Sequence, residues 1–221
     1  MDLTAPLQSL VPSVDAAALH VLAGVEGALG ESQIHRLAPR GSRRGLGLAL
    51  SRLAQHGLVI AEPTNHGYRY RLNREHVLAA SVLAAARARQ EFIERLSSAC
   101  ERLLPAVVCA ALFGSVARRE SGPGSDVDLL LVLPDGADTD GLAWQEQMRG
   151  LREQVLAWTG NRLETITVTP ARLATLVAAS EPICESWRTD AVTIIGKNLR
   201  QVLPGPTTSD SRPPAVRSEE S

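Results

Sequence analysis

Aromatic side chains and cysteines are scarce in this sequence. Aromatic residues make up only 3% of the 221 residues, so the cores must be built mainly from aliphatic side chains. The three cysteines, Cys100, Cys109 and Cys184, are odd in number and lack the spacing of a metal site. We therefore expect small buried thiols in a reduced, cytoplasmic protein.

Strong net charge, long apolar runs and two catalytic signatures are also absent. The formal net charge is −1, which predicts no attraction of the whole chain to nucleic acid or membrane. No apolar run approaches the ~20 residues of a membrane-spanning helix, so we expect no membrane partner. All five histidines precede residue 80, which argues against histidine-based catalysis in the second half. The sequence has no Gly-x-x-x-x-Gly-Lys loop, which excludes P-loop phosphate chemistry.

The first third of the chain has a pattern of helices followed by a hairpin. We expect an irregular lead-in over the first dozen residues, which contain Pro6 and Pro12. Apolar spacing, capping residues and strand alternation then predict helices over residues 14–25, 31–37 and 42–56, and strands over residues 58–60 and 68–72. Residues 14–72 thereby resemble the winged helix-turn-helix DNA-binding domains of bacterial regulators. We set this domain at residues 14–73.

The charge of this region is compatible with DNA binding. Seven arginines lie between Arg36 and Arg71, against Glu62 as the single carboxylate. In the resemblance, the third helix enters the major groove and the hairpin reaches phosphate or the minor groove. The predicted DNA contacts are Arg43, Arg44, Ser51, Arg52, Arg69 and Arg71. Two alternatives stay open, namely a solvated basic face and a winged helix that binds protein.

A long segment rich in alanine and leucine follows the hairpin. Nothing in residues 75–104 breaks a helix before Pro105, so we predict one continuous connecting helix within residues 74–104. This helix is also a candidate for forming a homodimer. At the other end of the chain, residues 204–221 contain four prolines without apolar periodicity, which predicts a disordered tail.

The most informative stretch is residues 111–132, where two apolar runs flank a polar loop. The first run ends at Gly114-Ser115, and the second begins at Asp126-Val127-Asp128. Two carboxylates one residue apart on a strand point to the same face and repel each other unless a cation or proton lies between them. This pattern predicts a magnesium site next to a corner whose backbone N–H groups can meet phosphate. The alternative is that both aspartates merely begin a strand at a loop.

The order of corner, loop, arginine and carboxylate pair resembles the DNA polymerase β-like nucleotidyltransferases, in particular their minimal bacterial and archaeal members. The resemblance implies an α+β protein, in which the long helix joins the winged helix to a nucleotidyltransferase-like α/β domain with a small mixed sheet. We place that domain at residues 105–203. It also implies that Asp126 and Asp128 hold one or two Mg²⁺ ions.

The remaining site residues follow from the same resemblance. Gly114, Ser115, Arg118 and Ser125 would bind the nucleotide, chiefly its phosphates. Glu164 would be the third carboxylate, catalytic and metal-binding, where the family more often has Asp. Two alternatives stay open, since Arg118 could simply pair with Glu120, and Glu164 could be an exposed strand residue.

The preferred hypothesis is a Mg²⁺-dependent nucleotidyltransferase that moves a nucleoside monophosphate, AMP from ATP, to a hydroxyl acceptor. Family resemblance suggests three acceptors: a partner protein such as a toxin, an aminoglycoside-like antibiotic, or a nucleic acid end. The alternative is a transcription regulator whose nucleotidyltransferase-like domain only binds a nucleotide as a signal. In either case the winged helix is expected to bind DNA.

Overall fold

The computed structural model describes residues 1–203, and the tail of residues 204–221, for which we predict disorder, lies outside the described residues. The first part of the chain contains the following elements: α1 Leu7–Leu10, α2 Val14–Ala23, β1 Leu29–Gly30, α3 Glu31–Leu37, α4 Arg43–Gln55, β2 Val59–Thr64 and β3 Gly67–Leu72. The connecting part contains α5 Ala79–Ala86 and α6 Ala88–Glu101. The rest contains β4 Cys109–Phe113, α7 Gly114–Arg118, β5 Val127–Val132, α8 Leu142–Thr159, β6 Leu163–Val168, α9 Pro170–Ala178, α10 Pro182–Thr189, β7 Val192–Gly196 and α11 Leu199–Val202.

The N-terminal domain packs its helices on a three-stranded antiparallel sheet with strand order β1-β3-β2. The helix predicted over residues 31–37 is confirmed as α3. The helix α4 begins after Ser42, whose Oγ accepts a hydrogen bond of 3.1 Å from the backbone N–H of Gly45. Leu46 and Leu50 of that helix are fully buried together with Ile34. The apolar stripe of α4 therefore faces the core, and its arginines face outward.

The prediction of one unbroken helix over residues 75–104 is wrong. The segment forms α5 and α6, which are separated at Arg87, and the first helix begins only at Ala79. The physical reason lies in packing, because the two helices contribute to different cores. Val82 of α5 packs in the N-terminal core, whereas Phe92 and Leu96 of α6 pack in the core of the C-terminal domain.

The C-terminal domain is built on a four-stranded mixed sheet with strand order β6-β5-β4-β7, which confirms the predicted small mixed sheet. β4 is antiparallel to both of its neighbours, and β5 is parallel to β6. Side chains on one face, such as Leu112 and Leu129, pack with α6 and α8. Those on the other face, such as Leu130 and Val168, pack with α9, α10 and α11. Within residues 1–203, no helix is both long and apolar enough to cross a membrane.

The first dozen residues are not the irregular lead-in that their prolines suggest. Leu3 is completely buried in the core of the C-terminal domain, and Leu7 of α1 is buried in the N-terminal core. Between them the segment is held by Asp2, which pairs with Arg40 at 2.8 Å and accepts a hydrogen bond from the N–H of Thr4. Burial of these leucines, which the local sequence does not signal, fixes the segment against both domains.

The burial of Leu3 gives a stability prediction. Leu3→Ala should lower the free energy of unfolding by about 2–5 kcal/mol, because a buried leucine is replaced by a cavity. The measurement is thermal or urea-induced unfolding of the full chain. Leu10→Ala is the matched control, since Leu10 is 71% exposed and its truncation should leave stability nearly unchanged. Equal, small effects of both substitutions would show that the segment is not packed as described.

Candidate active site

The corner after β4 is built around a close approach of Asp128 to Gly114. Gly114 has φ +66°, a left-handed conformation that glycine adopts without steric cost. A Cβ atom at this position would overlap the carboxylate oxygen Oδ2 of Asp128. The chain then enters α7 directly, with Ser115 in its first turn, where the sequence suggested a loop. Both the backbone conformation and the space therefore require glycine here.

The sheet brings the predicted carboxylates to one place. Asp128 on β5 is paired in parallel register with Glu164 on β6, so their side chains point to the same face of the sheet. Leu130 and Ile166, two residues further along each strand, belong to the core on that face. Asp126 lies just before β5, two residues from Asp128, and is exposed. Glu164 is thus on the neighbouring strand, as an active site would require, and it is also solvent-exposed.

The charges of Asp126 and Glu164 act on Asp128. Burial raises the pKa of Asp128 above its usual range, and the negative charges of Asp126 and Glu164 raise it further. The positive charge of Arg118 opposes this shift. The site therefore concentrates negative charge that its own residues do not neutralise, which is the condition that favours binding of a cation.

The donor chemistry of the site fits Mg²⁺, a hard cation that prefers carboxylate oxygens. Asp126 and Asp128 with Glu164 would supply such oxygens from adjacent positions. Within the described part of the chain, however, no three His, Cys, Asp or Glu side chains already form a group that could hold a metal ion. The carboxylates thus lie where β5 and β6 begin, but they do not form a complete set of metal ligands.

Arg118, predicted to bind phosphate, is engaged in ion pairs instead. Its Nε donates to Glu120 at 2.8 Å, which is the alternative that the sequence left open. Its Nη1 also donates to Asp190 at 3.2 Å, a partner 72 residues away that the sequence did not indicate. These carboxylates raise the pKa of Arg118, whose charge nevertheless acts on Asp128. Arg118 therefore lies beside the site, and contact with a phosphate would have to compete with its carboxylate partners.

Sequence reasoning missed a residue that positions the loop carrying Asp126. Asn161 is almost fully buried, and its side-chain amide donates a hydrogen bond of 2.7 Å to the backbone carbonyl of Ser125. The side chain of Ser125, predicted to contact the nucleotide, is engaged within the loop, because its Oγ accepts from the N–H of Gly122 at 2.9 Å. The signal available in the sequence was a polar residue directly after a helix-ending glycine, Gly160, and before a strand.

The six predicted DNA contacts lie on α4 and on β3 of the hairpin: Arg43, Arg44, Ser51, Arg52, Arg69 and Arg71. Two of them are paired within the domain. Arg52 forms an ion pair with Asp15 at 2.8 Å, and Arg71 forms one with Glu62 at 2.7 Å. Arg43 and Arg44 are exposed in the first turn of α4, where Arg43 donates a hydrogen bond to the hydroxyl of Ser32. Arg44 is therefore best placed to meet an external anion.

A known family model matches the part of the chain that contains this site. Residues 93–184 match the model described as Nucleotidyltransferase domain, which covers less than half of the chain and includes the corner and all three carboxylates. The match lies in the C-terminal part of the chain, and it confirms the enzyme class expected from the sequence. No curated protein matches the chain significantly.

Several solved structures resemble the chain weakly. A mutant of the toxin-antitoxin MntA-HpeT is 15% identical with a TM-score of 0.36, covering 49% of this chain and 76% of that chain. A toxin-antitoxin with AMP-PNP is 18% identical with a TM-score of 0.34, covering 50% of this chain and 76% of that chain. TrmBL2, an archaeal chromatin protein, is 14% identical with a TM-score of 0.27, covering 79% of this chain and 71% of that chain. All three TM-scores lie below 0.5, so we base no conclusion on these likenesses.

The raised pKa of Asp128 predicts that its ionisation destabilises the fold. A pKa raised by folding means that the protonated carboxyl is favoured, so its contribution to stability is present at low pH and is lost as the pH rises through the folded-state pKa. Asp128→Asn should therefore raise the melting temperature by a few degrees at pH 7. The gain should disappear as the pH falls below about 3.9, the usual pKa of an aspartate, where wild type is protonated in both states.

The matched control for this measurement is Asp140→Asn, since Asp140 is an exposed aspartate before α8. Its melting temperature should follow that of wild type across the pH range. A melting temperature of Asp128→Asn below that of wild type at pH 7 would contradict the electrostatic account of the site.

Proposed function

We propose that the C-terminal domain transfers AMP from ATP to a hydroxyl acceptor in a Mg²⁺-dependent reaction. The observation that supports this most directly is the convergence of Asp126, Asp128 and Glu164 on one end of the parallel β5–β6 pair, beside the Gly114–Ser115 corner. Negatively charged carboxylates beside the N-terminus of α7 suit a metal-bound, phosphate-rich substrate. We further propose that the N-terminal domain is a winged helix that binds DNA.

In the proposed reaction, an acceptor oxygen forms a bond to the α-phosphorus while the bond from that phosphorus to pyrophosphate breaks. Asp126 and Asp128 would hold the metal, with Glu164 completing the set. When bound, Mg²⁺ would neutralise phosphate charge and assist the departure of pyrophosphate. Ser115 and the N–H groups of the first turn of α7 would bind the outer phosphates, because those N–H groups have no partner within the helix. The exposed position of Glu164 also suits it to accept the proton of the acceptor hydroxyl.

The test is transfer of label from α-labelled ATP in the presence of Mg²⁺. Protein acceptors, an aminoglycoside and nucleic acid ends would be offered separately. Wild type should label one of them, and the Asp126→Ala, Asp128→Ala double variant should be slower by at least about a hundredfold, since its charge stabilisation is gone. Asp140→Ala, which removes an exposed aspartate before α8, should label at the wild-type rate. Equal labelling by wild type and the double variant would remove the catalytic proposal.

A second candidate function is supported by a specific feature of the site. Arg118 is held by two carboxylates, and the three acidic side chains do not form a closed metal group within residues 1–203. Both features suit a regulator that binds nucleotide as a signal without transferring it. Binding of ATP by calorimetry, together with absence of label transfer to every acceptor class, would favour this sensor over the enzyme.

The proposal of DNA binding rests on the position of the exposed arginines. Arg43 at the start of α4 and Arg69 on the hairpin line the same groove, which has a volume of about 540 Å³ and also includes His66. In this proposal, the hairpin of β2 and β3, whose strand β3 also pairs with β1, is the wing. This arrangement would place arginine side chains against both a groove of the DNA and the adjacent phosphates.

The DNA proposal predicts a salt-dependent gel shift with the DNA upstream of the coding sequence. The Arg43→Ala, Arg44→Ala double variant should bind more weakly, and the slope of log affinity against log salt should fall by about one for each phosphate that is no longer neutralised. The control is the Arg102→Ala, Arg149→Ala double variant, which removes the same charge from the exposed surface outside the N-terminal domain. Unchanged mobility of wild type at low salt would instead favour a winged helix that binds protein.

A further inference from the structure

A second cavity lies between the two domains, away from the carboxylates. It has a volume of about 780 Å³. Its wall includes His20 from α2, Arg89 and Ile93 from α6, Arg119 directly after α7, and Ile194 from β7. Each part of the chain thus contributes: the N-terminal domain, the connecting helices and the nucleotidyltransferase domain. A volume of this size falls in the range of small-molecule sites, about 300–1,000 Å³.

The cavity has an excess of positive charge. Arg87, Arg89 and Arg119 line it against one carboxylate, Glu94, which accepts a hydrogen bond of 3.0 Å from the amide of Gln90. Among the described residues, none of the three guanidinium groups is in an ion pair. An arginine cluster of this kind is suited to bidentate recognition of phosphate.

Two nitrogen atoms in this cavity are buried without a hydrogen-bond partner within residues 1–203, namely Nη1 of Arg89 and Nδ1 of His20. Burial lowers the pKa of Arg89, and the charge of Arg119 lowers it further. Buried polar groups in native proteins nearly always have a partner, because leaving one unpaired is costly. An anion would accept a hydrogen bond from Nη1 of Arg89. Its negative charge would also reduce the repulsion between Arg89 and Arg119.

We propose that this interdomain cavity binds a nucleoside di- or triphosphate at a site separate from the carboxylate site. The phosphates would lie between Arg89 and Arg119, and the apolar side chains of Ile93, Val192 and Ile194 would contact the base. The site is separate because Ile93 and Ile194 pack on the sheet face of α6 and α8. Asp128 and Glu164 occupy the opposite face, which carries α9, α10 and α11.

The short helix α7 connects the two sites. It begins at Gly114, beneath the carboxylate of Asp128, and ends next to Arg119, which lines the cavity. Arg119 has φ 59° and ψ 38°, a left-handed conformation that is unfavourable for a residue with a side chain. A phosphate bound by Arg119 would therefore fix the end of the helix whose beginning forms the catalytic corner. The cavity is placed to report the presence of a nucleotide to the transferase site and to the N-terminal domain together.

The test is calorimetric binding of ADP and of pyrophosphate to the full chain in EDTA, which keeps divalent metal from the carboxylate site. Wild type should bind both, with ADP tighter if the apolar wall contacts the base. Arg89→Gln and Arg119→Gln should each weaken binding at least about tenfold, because each removes a cation from the phosphates. Arg149→Gln, which removes an exposed arginine on α8, should bind as wild type does. Arg119 is exposed, so its variant tests the site even if Arg89→Gln perturbs folding.

Each outcome decides the proposal. Binding that is abolished in both cavity variants supports it. If ligand-free Arg89→Gln melts at or above the melting temperature of wild type, Arg89 does not stabilise the fold, which supports a role in binding. Binding that both variants retain would place the ligand elsewhere and overturn the proposal, as would absence of binding at millimolar ADP. The label-transfer assay is independent of this result, because it needs metal and the Asp126–Asp128 pair.

Discussion

The repulsion of Asp128 by the carboxylates of Asp126 and Glu164 is the constraint on which the candidate site depends. Asp128 and Glu164 lie side by side because β5 and β6 pair in this register, and such a parallel pair needs a crossover connection, which α8 provides. Asp128 also needs Gly114 beneath it, since any Cβ there would overlap its carboxylate. The fold therefore holds Asp128 beside charges that oppose its ionisation, as expected of a candidate site that is kept at a cost in stability.

The two faces of the C-terminal sheet pack against different helices and border different candidate sites. The face covered by α9, α10 and α11 carries Asp128 and Glu164 at its end, whereas the face covered by α6 borders the interdomain cavity. Val116 of α7 is buried in the core on the cavity side, while Gly114 contacts Asp128 on the other. Because α7 has only five residues, a displacement at either end has little helix in which to be absorbed. This is the physical basis on which the two proposed sites would influence each other.

The sequence predicted those features that depend on local pattern. The helix predicted over residues 31–37 matches α3, and the strand predicted over residues 68–72 matches β3 to within one residue, because helical spacing and strand alternation are read within a few residues. The separation of α5 from α6 could not be read this way, since it follows from two cores that the segment itself does not define. The pairing of Arg118 with Asp190 and the hold of Asn161 on Ser125 likewise depend on chain segments that only folding brings together. The Gly-Ser corner, the Asp pair and the candidate third carboxylate Glu164 could be named from the sequence, whereas Asp190 and Asn161 could not.

The N-terminal segment physically joins the domain proposed to bind DNA to the loop that carries Asp126. Asp2 is buried and paired with Arg40, which lies between α3 and α4. Two residues later, the hydroxyl of Thr4 is hydrogen-bonded at 2.9 Å to that of Ser121, in the loop between α7 and β5. The segment thus contacts Arg40 through Asp2 and the loop through Thr4. Thr4 contacts this loop at Ser121, whereas Asn161 contacts it at Ser125.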